Sequence, residues 1–253
     1  MPDCTLAGGS IHYESAGTGP PLILLHGIGS NSRSWHRQLA ALSSDFNVIA
    51  WDAPGYGKSS DPEGKPSIVY YAQRLRTLLD ELGFGPIHLL GHSAGGVIAQ
   101  EFYRLYPERV NTLILADTTF IGSRDKLEQR LTMIRTMTPG ELALERAPKL
   151  LSQTPSPDVM EETISIMSEV RPAGYEFAAI ALAGCDTRGV LRNLHVPTRL
   201  IWGSEDQITP MWRDIPEGAG LAVIPFAGHL CYAEQPELFN IIVRGFLSEA
   251  HGS

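Results

Sequence analysis

The sequence predicts an α/β protein, a parallel sheet covered by helices and interrupted by a helical insertion. Three observations point there. In the first half, short β-branched or Leu-rich runs alternate with longer amphipathic segments. From Phe120 to about Leu194 no such run recurs, and helical pieces are punctuated by Pro139-Gly140, Pro155, Pro157, Pro172 and Gly184. At Val196-Pro197 the alternation restarts.

The expected strands are Ile11 to Tyr13, Leu22 to Leu25, Val48 to Trp51, Ile87 to Leu90, Thr112 to Ala116, Thr198 to Trp202 and Leu221 to Phe226. Helices are expected at Ser34 to Leu42, Ile68 to Leu82, Ala94 to Tyr106 and Pro236 to Leu247. In the third of these, Val97, Ala99, Phe102, Leu105 and Tyr106 are available for a buried face. Within the insertion, Leu127, Leu131 and Ile134 fall at helical spacing, as do Met160, Ile164 and Met167. This divides the chain into a core, 1–119 with 195–253, and an insertion, 120–194, placed as a cap over the strand ends.

With 253 residues the chain is long enough for one well-buried core and short for two. Lys and Arg total 20 against 28 Asp and Glu, a net charge of -8, so the footprint that nucleic-acid binding needs is missing. No apolar stretch approaches the roughly 20 residues of a spanning helix. Met1-Pro2-Asp3-Cys4-Thr5 lacks the basic and apolar regions of a secretory signal. The three cysteines, Cys4, Cys185 and Cys231, have no CxxC spacing and form neither a disulfide framework nor a zinc site. The expectation is a cytoplasmic protein with no metal, no cofactor, and no nucleic-acid or membrane partner. Its oligomeric state is not encoded in any pattern of the sequence.

Gly91-His92-Ser93-Ala94-Gly95 follows an expected strand and opens an expected helix, the strand–turn–helix setting of a nucleophile elbow. Flanking glycines let the backbone pack closely around a serine whose Oγ projects outward. A serine hydroxyl needs an adjacent base to act as a nucleophile. His229, in Ala227-Gly228-His229 after the last expected strand, is the candidate. Asp206, in Gly203-Ser204-Glu205-Asp206 after the preceding strand, is the carboxylate placed to orient it; Glu205 and Asp117 compete. Ser, Asp, His is the chain order that an elbow-type triad follows. After the strand ending at Leu25, the His26-Gly27-Ile28-Gly29 loop can aim backbone N–H groups, with Ile28 and Ala94 as the pair for an oxyanion hole.

Taken with Asp52-Ala53-Pro54-Gly55-Tyr56-Gly57-Lys58-Ser59 and Val196-Pro197-Thr198, these segments make the whole chain resemble an α/β-hydrolase-fold enzyme. The resemblance implies a mostly parallel eight-stranded sheet with its first strands antiparallel, and a helical cap inserted after the sixth strand. It implies that the Asp52 to Ser59 loop is structural. The serine at the elbow separates the chain from haloalkane dehalogenases, which carry aspartate there. Ser93-Ala94-Gly95-Gly96 and the short cap resemble small-molecule esterases and 3-oxoadipate enol-lactonase-like hydrolases. The expected substrate is therefore a small carboxylic ester or lactone. Carbon–carbon hydrolases of meta-cleavage pathways share the outline, though many have tryptophan after the catalytic histidine where this chain has Leu230. A small-ligand receptor on the same fold can retain a complete triad and is the alternative outside catalysis.

Position in the chain nominates Trp35, Phe120, Met133, Met137 and Leu230 for the substrate pocket, with Cys231, Met167, Tyr175 and Phe177 as further lining candidates. Arg124, Arg171 and Arg188 are the insertion arginines considered as partners for a substrate carboxylate.

Overall fold

The computed structural model describes residues 3–6, 8–209, 211–212, 215 and 218–251; Met1 and Pro2 of the N-terminal reading lie outside the described residues. One sheet of eight strands organises the chain: β1 (Asp3–Leu6), β2 (Gly9–Ala16), β3 (Pro21–Leu25), β4 (Asn47–Trp51), β5 (Ile87–His92), β6 (Val110–Ala116), β7 (Thr198–Gly203) and β8 (Ala219–Ile224). Their order is β1-β2-β4-β3-β5-β6-β7-β8. The β1–β2 and β2–β4 pairs are antiparallel and every later pair is parallel.

Covered on both faces, the central strands read as continuous apolar runs. In β3, Ile23 and Leu25 enter one hydrophobic cluster while Leu22 and Leu24 enter the other, and all four are fully buried. Ile49 and Trp51 of β4 share the first cluster, and Val48 and Ala50 the second. Each of the Val, Leu and Ile side chains contributes about 1.5–3 kcal/mol on burial. The first face is covered by α2 (Ile68–Glu81) and α3 (Ala94–Leu105); the second by α1 (His36–Leu42) and α10 (Pro236–His251).

Glycine sets how closely α3 approaches the sheet. A Cβ on Gly95 would lie 2.1 Å from the Leu25 carbonyl oxygen, and one on Gly91 would lie 2.4 Å from that of Gly95. Only glycine fits at such separations.

Between β6 and β7 lie α4 (Arg124–Thr136), α5 (Pro139–Leu150), α6 (Pro157–Met167), α7 (Pro172–Ala183) and α8 (Arg188–Leu191). Among the described residues the only β pairing here is an isolated bridge, Ile121 to Asp186, which ties the two ends of the insertion together. Pro139, Pro157 and Pro172, read as punctuation between helical pieces, stand at the first positions of α5, α6 and α7, where a missing N–H costs nothing. Thr138 caps α5 reciprocally with Glu141, and Ser123 and Ser156 cap α4 and α6. A short helix, α9 (Cys231–Glu234), precedes α10.

Several boundaries differ from the sequence reading. The edge strand β1 is additional, its short Asp3–Leu6 segment pairing along one side only. The fifth strand continues to His92 and so delivers Ser93 directly at its end. The last strand stops at Ile224, because Phe226 has φ +55° and is 73% exposed. Among the described residues no helix is long and apolar enough to cross a membrane, and no group of three His, Cys, Asp or Glu side chains is placed to hold a metal ion.

Candidate active site

Ser93 stands at the junction of β5 and α3 with φ +51° and ψ -116°, a region that costs about 1–3 kcal/mol for a residue other than glycine. Its surroundings impose that conformation. The Ser93 N–H donates to the Ala116 carbonyl at 2.9 Å, and its own carbonyl accepts from Gly96 N–H at 3.0 Å and from the Thr118 hydroxyl. The turn sends the hydroxyl away from the sheet, toward the loops at the carboxyl ends of the strands.

His229 lies on the loop after β8, with Nε2 at 2.9 Å from Ser93 Oγ and Nδ1 at 2.9 Å from Asp206 Oδ2. The Asp206 side chain is fully buried and is further saturated by Ile208 N–H at 2.7 Å and the Thr209 hydroxyl. Burial alone would raise its pKa. The hydrogen bonds from His229, Thr209 and Ile208 outweigh that and hold the carboxyl below its ordinary range. Asp206 is therefore an anion beside the imidazole, and His229 Nδ1 is held as the donor.

The rival carboxylates have other partners. Asp117 Oδ1 accepts the Gly203 N–H at 2.8 Å, and burial together with the nearby Asp206 charge pushes its pKa well above the carboxylate range. Glu205 accepts the Gln153 N–H at 2.9 Å on the exterior. Neither reaches the imidazole.

The loop after β3 lies directly against the serine. A Cβ on Gly27 would sit 3.1 Å from Ser93 Cβ and 3.0 Å from His92 Nδ1. The His26 ring fixes the loop's orientation: Nε2 accepts the Ala53 N–H at 3.0 Å, leaving Nδ1–H to donate to the Gly27 carbonyl at 2.8 Å. Across a trans peptide the carbonyl and the following N–H point in opposite directions, so the Ile28 N–H is turned to the side away from His26. Ala94 begins α3, where amides have no intrahelical acceptor. Among the described residues, neither the Ile28 nor the Ala94 N–H has an acceptor.

A cavity of about 710 Å³, its open mouth included, lies between this constellation and the insertion. The core side is formed by the Gly27 to Ser30 loop, Ser93, His229 and Leu230; the insertion side includes Arg130, Arg146, Ile166, Met167 and Tyr175.

The other nominated pocket residues lie elsewhere. Trp35 ends a 3-10 turn (Ser32–Trp35) that directs it into the core, fully buried and stacked on Tyr232 at 4.2 Å. Phe120 packs on Trp212, with ring centroids 3.5 Å apart. Met133 and Met137 lie against Ile134, Leu142, Val170 and Tyr175 within the insertion. Phe177 joins Tyr70 and Tyr71 in the core, and Cys231 is fully buried. Arg171 binds Asp61 and the carbonyls of Gly57 and Ser59, and Arg188 pairs with Asp186. Residues missed by the sequence reading include Ile166, Glu162, Arg130 and Arg146, the two arginines both on cavity-facing stripes of their helices.

Residues 20–148 match the model of the α/β-hydrolase fold family. The chain belongs to that family. It is similar to a thermophilic esterase from Thermogutta terrifontis, solved with malate bound, at 33% identity and a TM-score of 0.90 over 96% of this chain and 94% of that one. A 2-hydroxy-6-oxononadienedioate/2-hydroxy-6-oxononatrienedioate hydrolase of Burkholderia vietnamiensis is 31% identical, covering 94% of this chain and 90% of its own. The 3-oxoadipate enol-lactonase 2 of Acinetobacter baylyi is 27% identical, covering 94% and 93%. This α/β-hydrolase has esterases and lactonases among its relatives, and it is itself a hydrolase.

Proposed function

We propose that this hydrolase cleaves a small-molecule carboxylic ester or lactone through an acyl-enzyme on Ser93, with 120–194 acting as a cap over the site. The observation carrying the reading is the continuous Asp206–His229–Ser93 array, with both imidazole contacts at 2.9 Å. A serine, a base and a buried orienting carboxylate in series are what nucleophilic acyl transfer needs.

The substrate enters between cap and core with its carbonyl oxygen facing the Ile28 and Ala94 N–H groups. Ser93 Oγ attacks the carbonyl carbon as its proton passes to His229 Nε2. Asp206 stabilises the resulting imidazolium and holds the ring in place. The two amides take up the charge that develops on the carbonyl oxygen. His229 then protonates the leaving alcohol or enol as the tetrahedral intermediate collapses to the acyl-enzyme. Water, deprotonated by the same imidazole, attacks the ester carbon, and Ser93 recovers its proton.

The second reading, hydrolysis of a carbon–carbon bond, is favoured by the 31% identical Burkholderia relative and disfavoured by Leu230 on the cavity wall. The test is turnover of p-nitrophenyl esters of increasing acyl length by wild type and Ser93→Ala. Multiple turnovers abolished in the variant support the ester reading. A single burst that stalls would indicate a receptor. Cleavage of ring-fission dienones without ester turnover would establish the carbon–carbon reaction.

A further inference from the structure

We infer that the substrate carries a free carboxylate, gripped in the cavity by Arg130 of α4 and Arg146 of α5. This rests on the acyl-transfer reading for the bond that breaks, but not for the anion that binds. Both side chains line the cavity that holds Ser93 and His229.

Helix geometry directs them there. In α4 the apolar stripe runs Leu127, Leu131, Ile134, and Arg130 lies three residues after the first and four before the last. In α5, Leu142, Ala143, Ala147 and Leu150 face inward, and Arg146 interrupts that stripe. A charged side chain on the inward face of an amphipathic helix costs desolvation unless it meets an opposite charge. The chain has carboxylates in excess, 28 against 20 basic residues, and pairs many of its other arginines, Arg76, Arg109 and Arg244 among them. Among the described residues, however, no carboxylate forms an ion pair with Arg130 or Arg146.

Nothing on the wall substitutes for one. Glu162 also reaches the cavity, but its carboxylate is engaged by Arg37 Nη1 at 2.7 Å and His36 Nδ1 at 3.0 Å. Tyr175, beside Arg130, is neutral because burial raises its hydroxyl pKa. The cations also disfavour one another. Burial lowers the Arg130 pKa and the charge of Arg146 lowers it further; burial and then Arg130 do the same to Lys126, whose Nζ donates to the Ile208 carbonyl at 2.8 Å. The cavity thus carries uncompensated positive charge inside an acidic protein, next to a serine placed for acyl transfer. A carboxylate matches the planar guanidinium fork and is the ligand that offsets this charge.

The test compares p-nitrophenyl hemiglutarate with the neutral p-nitrophenyl pentanoate in wild type, Arg130→Gln, Arg146→Gln and the double variant. The wild type should favour the charged ester at least tenfold in kcat/KM. Each single variant should reduce that ratio about tenfold, mainly through KM, and Arg130→Lys should restore part of it. Glutarate should inhibit the wild type competitively where the neutral glutaramide does not, a comparison that needs no variant to fold. Calorimetric binding of glutarate to Ser93→Ala, abolished by adding Arg130→Gln, reads the clamp without catalysis. No preference for the charged ester together with equal or absent inhibition by glutarate and glutaramide overturns the inference. Arginine-dependent glutarate binding in a protein that hydrolyses neither ester would sink the ester reading and leave the clamp standing.

Discussion

His92 Nε2 donates to the backbone carbonyl of His229 at 2.7 Å, so the residue before the elbow serine is bonded to the main chain of its neighbouring imidazole. The two rings lie 4.8 Å apart. His92 is buried and its Nδ1 has no hydrogen-bond partner among the described residues, which requires the neutral Nε2–H tautomer. Burial, reinforced by His229, lowers its pKa to about 3.

That shift is a statement about acid stability. The unfolded chain binds a proton at this histidine as pH falls through about 6.5, whereas the folded chain resists until about 3. The stabilisation is complete above 6.5 and is lost progressively below it, at up to about 1.4 kcal/mol per pH unit for one proton. His26, also buried with a lowered pKa, adds a slope of the same sign. His92→Asn should therefore flatten the decline of Tm between pH 6.5 and pH 4 relative to wild type, although its Tm at neutral pH will be lower. Parallel Tm curves across that window would contradict the assignment.

Asp206 and Asp117 should respond oppositely to the same substitution. Asp206→Asn replaces an acceptor of the imidazole N–H with an amide that favours the wrong tautomer, and should lower kcat about 10⁴-fold with the fold retained. Burial and the Asp206 charge push the Asp117 pKa well above the carboxylate range; the residue sits at φ +41°, where asparagine is well tolerated, and its Oδ1 contact with Gly203 can be kept by an amide oxygen. Its raised pKa contributes stability only at low pH, which is lost as pH rises toward the folded value. Asp117→Asn should accordingly leave kcat within a few-fold and raise Tm at pH 7.5. Ester kinetics and melting of both variants check the pair; a severe kcat loss in Asp117→Asn would mean that this carboxyl takes part in the chemistry.

The local motif was the most legible part of the site. Gly91 to Gly95 between an apolar run and a helical segment encodes a turn whose geometry is decided within five residues, and Asp206 and His229 are found by asking which loops follow the next strands. The pocket was less legible because adjacency in sequence does not fix direction. Trp35 follows the Gly27 to Gly29 loop closely, yet one 3-10 turn is enough to aim it into the core. Phe120 and the two methionines are apolar, and apolar side chains satisfy themselves against any neighbouring face. Arg130 and Arg146 did leave a signal: each is a cation on an otherwise apolar helical stripe, visible from spacing alone, whereas Arg171 binds loop carbonyls and Arg188 pairs with Asp186.

His26 should act through the Ile28 amide without touching substrate. Its Nδ1–H holds the Gly27 carbonyl, and that contact sets which way the Ile28 N–H points. His26→Phe keeps a ring in the buried space beside Tyr56 but removes both hydrogen bonds. One oxyanion donor is typically worth about 10²–10³ in rate. The variant should lose roughly that in kcat with KM changed little, because the amide matters most once the oxygen is charged. A loss confined to KM, measured on the same p-nitrophenyl ester, would place His26 in ground-state binding instead.

Gly95→Ala separates close approach from helix propensity. Alanine is the better helix former by about 1 kcal/mol, so in an open helical position the change should stabilise. At Gly95, however, the new Cβ would meet the Leu25 carbonyl oxygen at 2.1 Å and the His26 oxygen at 2.7 Å, and both belong to backbone that cannot rotate aside. To relieve the clash α3 must move off β3, opening the core beneath Val97 and Ile98 and displacing Ser93 from the Ile28 amide. Gly140, also helical, has nothing within 4 Å of its Cβ position. Gly140→Ala should leave Tm unchanged or slightly raised, while Gly95→Ala should lower stability by about 3 kcal/mol or more and reduce kcat in whatever fraction still folds. Thermal melts of the two variants side by side check this, and a Gly95→Ala protein as stable as Gly140→Ala would refute the close packing of α3 on β3.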